Sequence, residues 1–137
     1  MYRKGVLGVV INKDNKFLVL YRMLYWRGWE MPKGGIEDEA EEDALKREIK
    51  EETGLTARIV CKVGYEIVYD YPAGFIKKMK TNYKGAKQSV YLAAADGRVK
   101  LSAEHSKYKW ASYKEARRLL KHQNQKKALD AAYKCLL

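Results

Sequence analysis

Cysteine and proline are scarce in this 137-residue chain and acidic side chains are outnumbered by basic ones, and each shortfall narrows what it can be. The two cysteines, Cys61 and Cys135, lack the spacing of a disulfide framework or of a structural zinc site, so two free, partly buried thiols in a reducing compartment are expected. No apolar run approaches the roughly 20 residues that cross a bilayer. The first such run, residues 6–11, is too short and too β-branched for a signal peptide. A cytoplasmic protein with no membrane partner is therefore expected. Acidic residues number 17 against 28 Lys and Arg, a formal charge of +11. That excess either draws anionic partners such as nucleotides, nucleic acid or acidic lipid heads, or serves solubility alone.

What the chain does contain predicts one domain over residues 1–137. Its length suits a single core, and 47% hydrophobic residues supply enough apolar surface to offset chain entropy. Residues 6–11 and 17–21 read as a hairpin across the turn 12–16, and residues 26–31 as a short strand ended by Pro32 and the Gly34-Gly35 loop. Residues 39–53 are rich in Glu, Ala, Lys, Leu and Arg and stop at Gly54, which predicts a helix with a left-handed C′ residue. Residues 56–61 and 63–69 predict a bent strand with a bulge around Lys62 and Gly64. Residues 70–87 read as a long lysine-bearing loop, 89–95 as a strand, Asp96-Gly97 as a turn and 99–101 as the start of an edge. Helices are expected over 114–121 and 125–136, the last with Ala128, Leu129, Ala132 and Leu136 on one stripe.

Within the central helix, Glu48, Glu51 and Glu52 fall on one arc at 3.6 residues per turn. Like charges so spaced repel, and a divalent cation relieves them; hard oxygen ligands suit it better than the chain's two histidines or two cysteines. Leu45 and Ile49 would anchor the helix, and Ala44, one turn before Glu48, would leave room for a bulky anion. The alternative is a solvated acidic stripe paired with Lys46, Arg47 and Lys50. The preceding Pro32-Lys33-Gly34-Gly35 favours the first, because Lys33 can neutralise phosphate beside a bridging metal.

Two segments, Gly34-Gly35-Ile36-Glu37-Asp38-Glu39 and Arg47-Glu48-Ile49-Lys50-Glu51-Glu52-Thr53-Gly54-Leu55, resemble the signature box of the Nudix hydrolases. Seven residues separate Glu39 from Arg47, as in the family, but four rather than five separate Gly34 from Glu39, a loop one residue shorter. The resemblance implies an α/β (α+β) fold, an α/β/α sandwich with a mixed central sheet. It implies two or three Mg2+ or Mn2+ ions held by Glu48, Glu51, Glu52 and the Gly34 carbonyl, and an ion pair between Glu39 and Arg47 that braces the loop.

Residues 29–34 resemble the entry to the box in asymmetric dinucleoside-tetraphosphate hydrolases and in RNA 5′-pyrophosphohydrolases. Residues 101–105, with Tyr108, Trp110, Glu115-Ala116 and Leu119, resemble the C-terminal part of the tetraphosphate hydrolases. That likeness adds Glu104 as a metal ligand and Tyr108 as a base-stacking aromatic, with Tyr83 as a second aromatic from the long loop. Lys33 and Lys87 would neutralise phosphates, and Glu51 or Glu52 would accept the proton of the attacking water. The implied activity is cleavage of a nucleoside polyphosphate, first diadenosine tetraphosphate to ATP and AMP. The alternatives are removal of pyrophosphate from the triphosphorylated 5′ end of RNA, or a non-catalytic nucleotide- or RNA-binding module. The oligomeric state is not legible.

Overall fold

A computed structural model describes residues 1–137. The elements in chain order are β1 (Tyr2–Ile11), β2 (Phe17–Arg22), β3 (Gly28–Glu30), β4 (Lys33–Gly35), α1 (Glu41–Thr53), β5 (Arg58–Asp70), α2 (Ala73–Met79), β6 (Gly85–Ala94), β7 (His105–Ala111), α3 (Tyr113–Leu119) and α4 (Gln123–Lys134). The sheet is mixed, ordered β3-β2-β1-β6-β5, with β4 paired to β1 and β7 to β2. β1 and β6 run parallel over ten registered pairs, and the other pairings are antiparallel. The expected hairpin is present, but β1 and β2 register only at Ile11 and Phe17, beside the turn. Beyond it, β1 follows β6 and β4 while β2 follows β7 and β3.

The central strands bury both faces, and their alternation divides the core in two. Leu7, Val9, Phe17 and Val19 join Val90, Leu92, Ala128, Leu129 and Ala132 on the side of α3 and α4. Val6, Val10, Leu18 and Leu20 join Ala44, Leu45, Ile49 and Tyr91 on the side of α1. A helix layer on each face of a mixed sheet is the sandwich the resemblance implied. No helix is long and apolar enough to cross a membrane.

Several elements differ from the expectation. α1 begins at Glu41, not at residue 39, because Asp38 takes a left-handed backbone (φ 48°) that turns the shortened loop sharply into the helix. It ends as expected, on Gly54 at φ 75°. Ala44 is fully buried in the core and leaves no room for an anion. The predicted bulge is present as a register shift between Lys62 and Glu66. The long loop contains α2, a helix without buried residues, and β6 starts at Gly85 inside the span read as loop. The last edge strand is β7, not residues 99–101; its outward Ser106, Lys107, Tyr108 and Lys109 hid it from hydropathy. α4 ends at Lys134, and Leu136 lies beyond it, exposed. The two thiols are free; burial, and the Cys135 thiol alongside, push the Cys61 thiol up.

Truncating Leu45 to Ala, which removes the side chain α1 lays against Gly8 of β1, should destabilise the fold by about 2–5 kcal/mol. Urea denaturation monitored by circular dichroism reads this as a lower midpoint at unchanged slope.

Candidate metal and polyphosphate site

The inner edge of α1, the β4 loop and the strand trio β3-β2-β7 converge on one corner of the sheet. Arg47 organises the first two. Its Nη2 donates to Glu39 at 2.6 Å and to the Gly35 carbonyl at 3.0 Å, and its Nη1 donates to Glu48 at 2.8 Å. Glu39 also accepts from the Glu37 amide at 3.1 Å, so the brace reaches across the turn that precedes the helix. The Arg47 hydrogen bonds hold the Glu39 carboxyl below its ordinary value. Gly34 backs closely onto the Glu48 side chain, and a Cβ there would force the Glu48 carboxyl to shift.

Strand registry builds the opposite wall. Glu30 lies across from Leu20, and a register shift between Tyr21 and Arg22 sets Arg22 opposite His105. Arg22 Nη1 donates to Glu30 at 3.0 Å, His105 Nε2 meets the same oxygen at 2.9 Å, and Lys33 Nζ stands 3.7 Å from the other. Burial alone would raise the Glu30 carboxyl. The His105 hydrogen bond and the charges of Lys33 and Arg22 outweigh it and hold the group at about 2, so Glu30 is ionised. Arg22 also reaches Glu104 at 3.5 Å.

Glu52 has no such compensation. Only 4% of it is exposed, its Oε1 accepts a 3.4 Å bond from the Lys33 amide, and its Oε2 has no partner. Burial, then the charges of Glu30, Glu48 and Glu104, push its carboxyl well above the ordinary carboxylate range. Burial likewise raises Glu48, against Arg47 and with help from Glu51 and Glu104. A buried, unpaired oxygen facing further carboxylates fits a divalent cation, whose charge satisfies all of them. Glu52, Glu104 and Glu48 could hold it, and Glu104 is carried there by a turn whose Ser102 amide bonds the Glu52 carbonyl.

Two adjoining hollows lie at this corner. A cleft of about 240 Å³ is lined by Glu48 and Glu104 together with Arg3, Arg22, Lys33 and Gly34. A cavity of about 550 Å³, which shares Lys33, Trp26 and Phe75 with the cleft, is walled also by Tyr25, His122, Gln88 and Gln125. Trp26 forms the partition. The Arg22 guanidinium and the Lys33 ammonium lie 4.6 and 5.1 Å from its ring centroid, and the Phe75 ring is 6.1 Å away. Tyr25, in a left-handed backbone (φ 70°), makes the turn that places Trp26 there.

Among the expected site residues, Lys33, Gly34, Glu48, Glu52 and Glu104 come together, and Glu39 and Arg47 pair as expected in geometry. Glu51 does not join them: its side chain is 58% exposed and pairs with Arg47 at 3.4 Å, on the solvent side of the helix. Lys87 points off the opposite face of β6 toward Glu66 at 3.7 Å. Neither Tyr83 nor Tyr108 lines either hollow. Tyr108 lies across from Leu20 on β7 and is 43% exposed. Arg3, Arg22, Trp26, Glu30, Phe75 and His105 escaped the sequence reading. Glu30 had one signal, a lone acid between Trp29 and Met31 in a strand; Phe75 had none, inside a span read as loop.

The family described as NUDIX domain matches residues 1–132. An RNA pyrophosphohydrolase of Zymomonas mobilis is 36% identical over 103 residues, 71% of this chain and 66% of that protein, so the match spans just under two thirds of it. An RNA pyrophosphohydrolase of Ruthia magnifica is 35% identical over 124 residues, 82% of this chain and 69% of that protein. Among solved structures, the binary complex of a C. elegans Ap4A hydrolase superposes with a TM-score of 0.79 at 25% identity, covering 98% of this chain and 97% of that one.

Because the Glu52 carboxyl is raised in the fold, its folded-state benefit is complete below pH 4.5, the ordinary value, and is lost as pH rises through the shifted one. Glu52→Gln should therefore raise the thermal midpoint of metal-free protein at pH 8, with the gain vanishing toward pH 4.5. Millimolar Mg2+ should raise the midpoint of the wild type at pH 8 and leave that of the variant unmoved.

Proposed function

This chain belongs to the Nudix hydrolase family, and from that premise we propose that it removes pyrophosphate from the triphosphorylated 5′ end of RNA in a divalent-metal-dependent reaction. The observation that carries this reading is the junction at Trp26, where an acid-cornered cleft lined by Arg3, Arg22 and Lys33 meets a cavity large enough for one nucleoside. A 5′ nucleotide has those two parts, an anionic chain and an aromatic base. The rim of the cavity carries Lys78 and Lys121, and Lys77 and Lys80 of the α2 segment stand exposed near it. These cations suit the phosphates of a continuing strand. Relatives named RNA pyrophosphohydrolase at 35–36% identity support this order of substrates over the one the sequence alone suggested.

A bound divalent ion would polarise the phosphoryl oxygens and lower the pKa of a coordinated water. The residues of the chain do the rest. Glu52 and Glu104 hold their oxygens at the corner. Glu48, which lines the cleft with a raised carboxyl, takes the proton of the attacking water. This assigns to Glu48 the role that the sequence reading gave to Glu51 or Glu52. Lys33, Arg22 and Arg3 neutralise the phosphates that do not react and the departing pyrophosphate. The base packs on Trp26 in the larger cavity, where the carboxamides of Gln88 and Gln125 meet its polar edge.

Diadenosine tetraphosphate is the second reading, favoured by the similarity to the C. elegans Ap4A hydrolase and by the Leu101–His105 likeness. Chromatography of products from both substrates with Mg2+ separates the two. Pyrophosphate release from triphosphorylated RNA should exceed ATP formation from diadenosine tetraphosphate by at least about tenfold, and the reverse ratio makes the dinucleotide the substrate. Glu48→Gln should lower kcat by about 10²–10⁴-fold. Trp26→Ala should raise KM by the loss of about 1–3 kcal/mol of stacking while the RNA phosphates still bind.

A further inference from the structure

Four buried side-chain atoms lack a hydrogen-bond partner: Glu30 Oε1, Glu52 Oε2, the Ser102 hydroxyl and His105 Nδ1. Buried polar atoms are nearly always satisfied, so an orphan beside a carboxylate cluster points to a missing ligand. One ring nitrogen of His105 and one oxygen each of Glu52 and Glu104 lie within 4.8 Å of one another. Ligand atoms on a common ion, each about 2.1 Å from it, stand up to about 4.2 Å apart, so small adjustments bring all three onto one cation.

The His105 side chain is completely buried, and its Nε2 meets the Glu30 carboxyl, itself paired with Arg22 and Lys33, at 2.9 Å. That nitrogen therefore carries the ring hydrogen, and in the neutral ring the lone pair resides on Nδ1, the atom without a partner. A carboxylate behind one ring nitrogen and a bare lone pair on the other describes a metal-ligating histidine with its outer partner in place. Arg22 and Lys33 hold Glu30 from the other side, so the ring cannot rotate away without breaking a buried ionic network.

We propose that His105 supplies a nitrogen ligand to the divalent ion held by Glu52 and Glu104, with Glu30 as the positioning residue that fixes the ring and its tautomer. The inference rests on the reading that these two acids hold the metal. Imidazole suits transition metals, whereas Mg2+ takes oxygen, so the site selects Mn2+ over Mg2+ more strongly than an all-carboxylate site would.

The test uses the full chain loaded with Mn2+ and labelled with ¹⁵N-histidine, read by pulsed electron paramagnetic resonance. A nitrogen coupling that changes with the label is expected in the wild type. His105→Gln, whose amide can still reach Glu30, should lose the coupling. In calorimetry it should weaken Mn2+ binding about 10–100-fold and Mg2+ binding less than threefold. Glu30→Gln should keep the coupling with altered strength and weaken Mn2+ about tenfold. Bound Mn2+ with water-proton but no nitrogen coupling in the wild type, a measurement independent of any variant's folding, overturns the His105 assignment and leaves Glu52 and Glu104 as ligands. Retention of the coupling in a folded His105→Gln protein overturns it equally. Failure of the wild type to bind Mn2+ at all overturns both the assignment and the metal-site reading beneath it.

Discussion

A carboxylate buried without a counter-charge is the constraint around which this molecule is arranged. Glu52 faces inward from α1 with one oxygen unpaired, near Glu48 and Glu104. Removing an ionised carboxylate from water costs several kcal/mol unless opposite charge meets it. The surroundings do not relieve the strain. Arg47, the nearest cation on the helix, is committed to Glu39, Gly35, Glu48 and Glu51, and Arg22 and Lys33 are committed to Glu30. Two buried glutamates thus meet opposite fates: Glu30 is paired with protein cations, and Glu52 keeps one oxygen without a partner.

The rest of the fold holds that imbalance in place. α1 cannot turn its acids outward, because Ala44, Leu45 and Ile49 fill the core on that side of the sheet and Gly54 closes the helix. The β4 loop cannot withdraw, because Gly34 lies against the Glu48 carboxyl and Arg47 ties Gly35 to the helix. The Trp26 ring lies against both Arg22 and Lys33, and all three line the cleft. Cations held at the cleft wall without reaching Glu52 would suit the anion and the metal of the proposed function at once.

Local chemistry was legible wherever it was repeated within a few residues. The helix and its glycine stop, the bulge near Gly64 and the acids at 48 and 52 follow from spacing that a helix or strand period makes legible, whereas the Glu39–Arg47 brace, with Glu39 ahead of the helix, comes from the family resemblance. The assignment of Glu51 shows the limit of that reasoning. It shares an arc with Glu48 and Glu52, yet the helix is rolled so that Glu52 faces the sheet and Glu51 the solvent. Spacing gives relative angles around an axis, and packing gives the angle to the core. Tyr108 is suggested by the family likeness and Tyr83 and Lys87 by residue type in the long loop, and which face of a strand or loop such residues occupy depends on pairings that lie far away in sequence.

The sequence by itself determined the helix that bears the acids, the β1–β2 hairpin and a family membership carried by a short box, because each is written in residues close together along the chain. Only the tertiary structure decided that Arg22, Glu30 and His105 meet across three strands, that Trp26 and Phe75 share a cavity, and that α2 stands at its rim. Their proximity comes from sheet registry and from a bulge at Ser106 of β7, which brings His105 opposite Arg22 with no mark on the hydropathy of the chain.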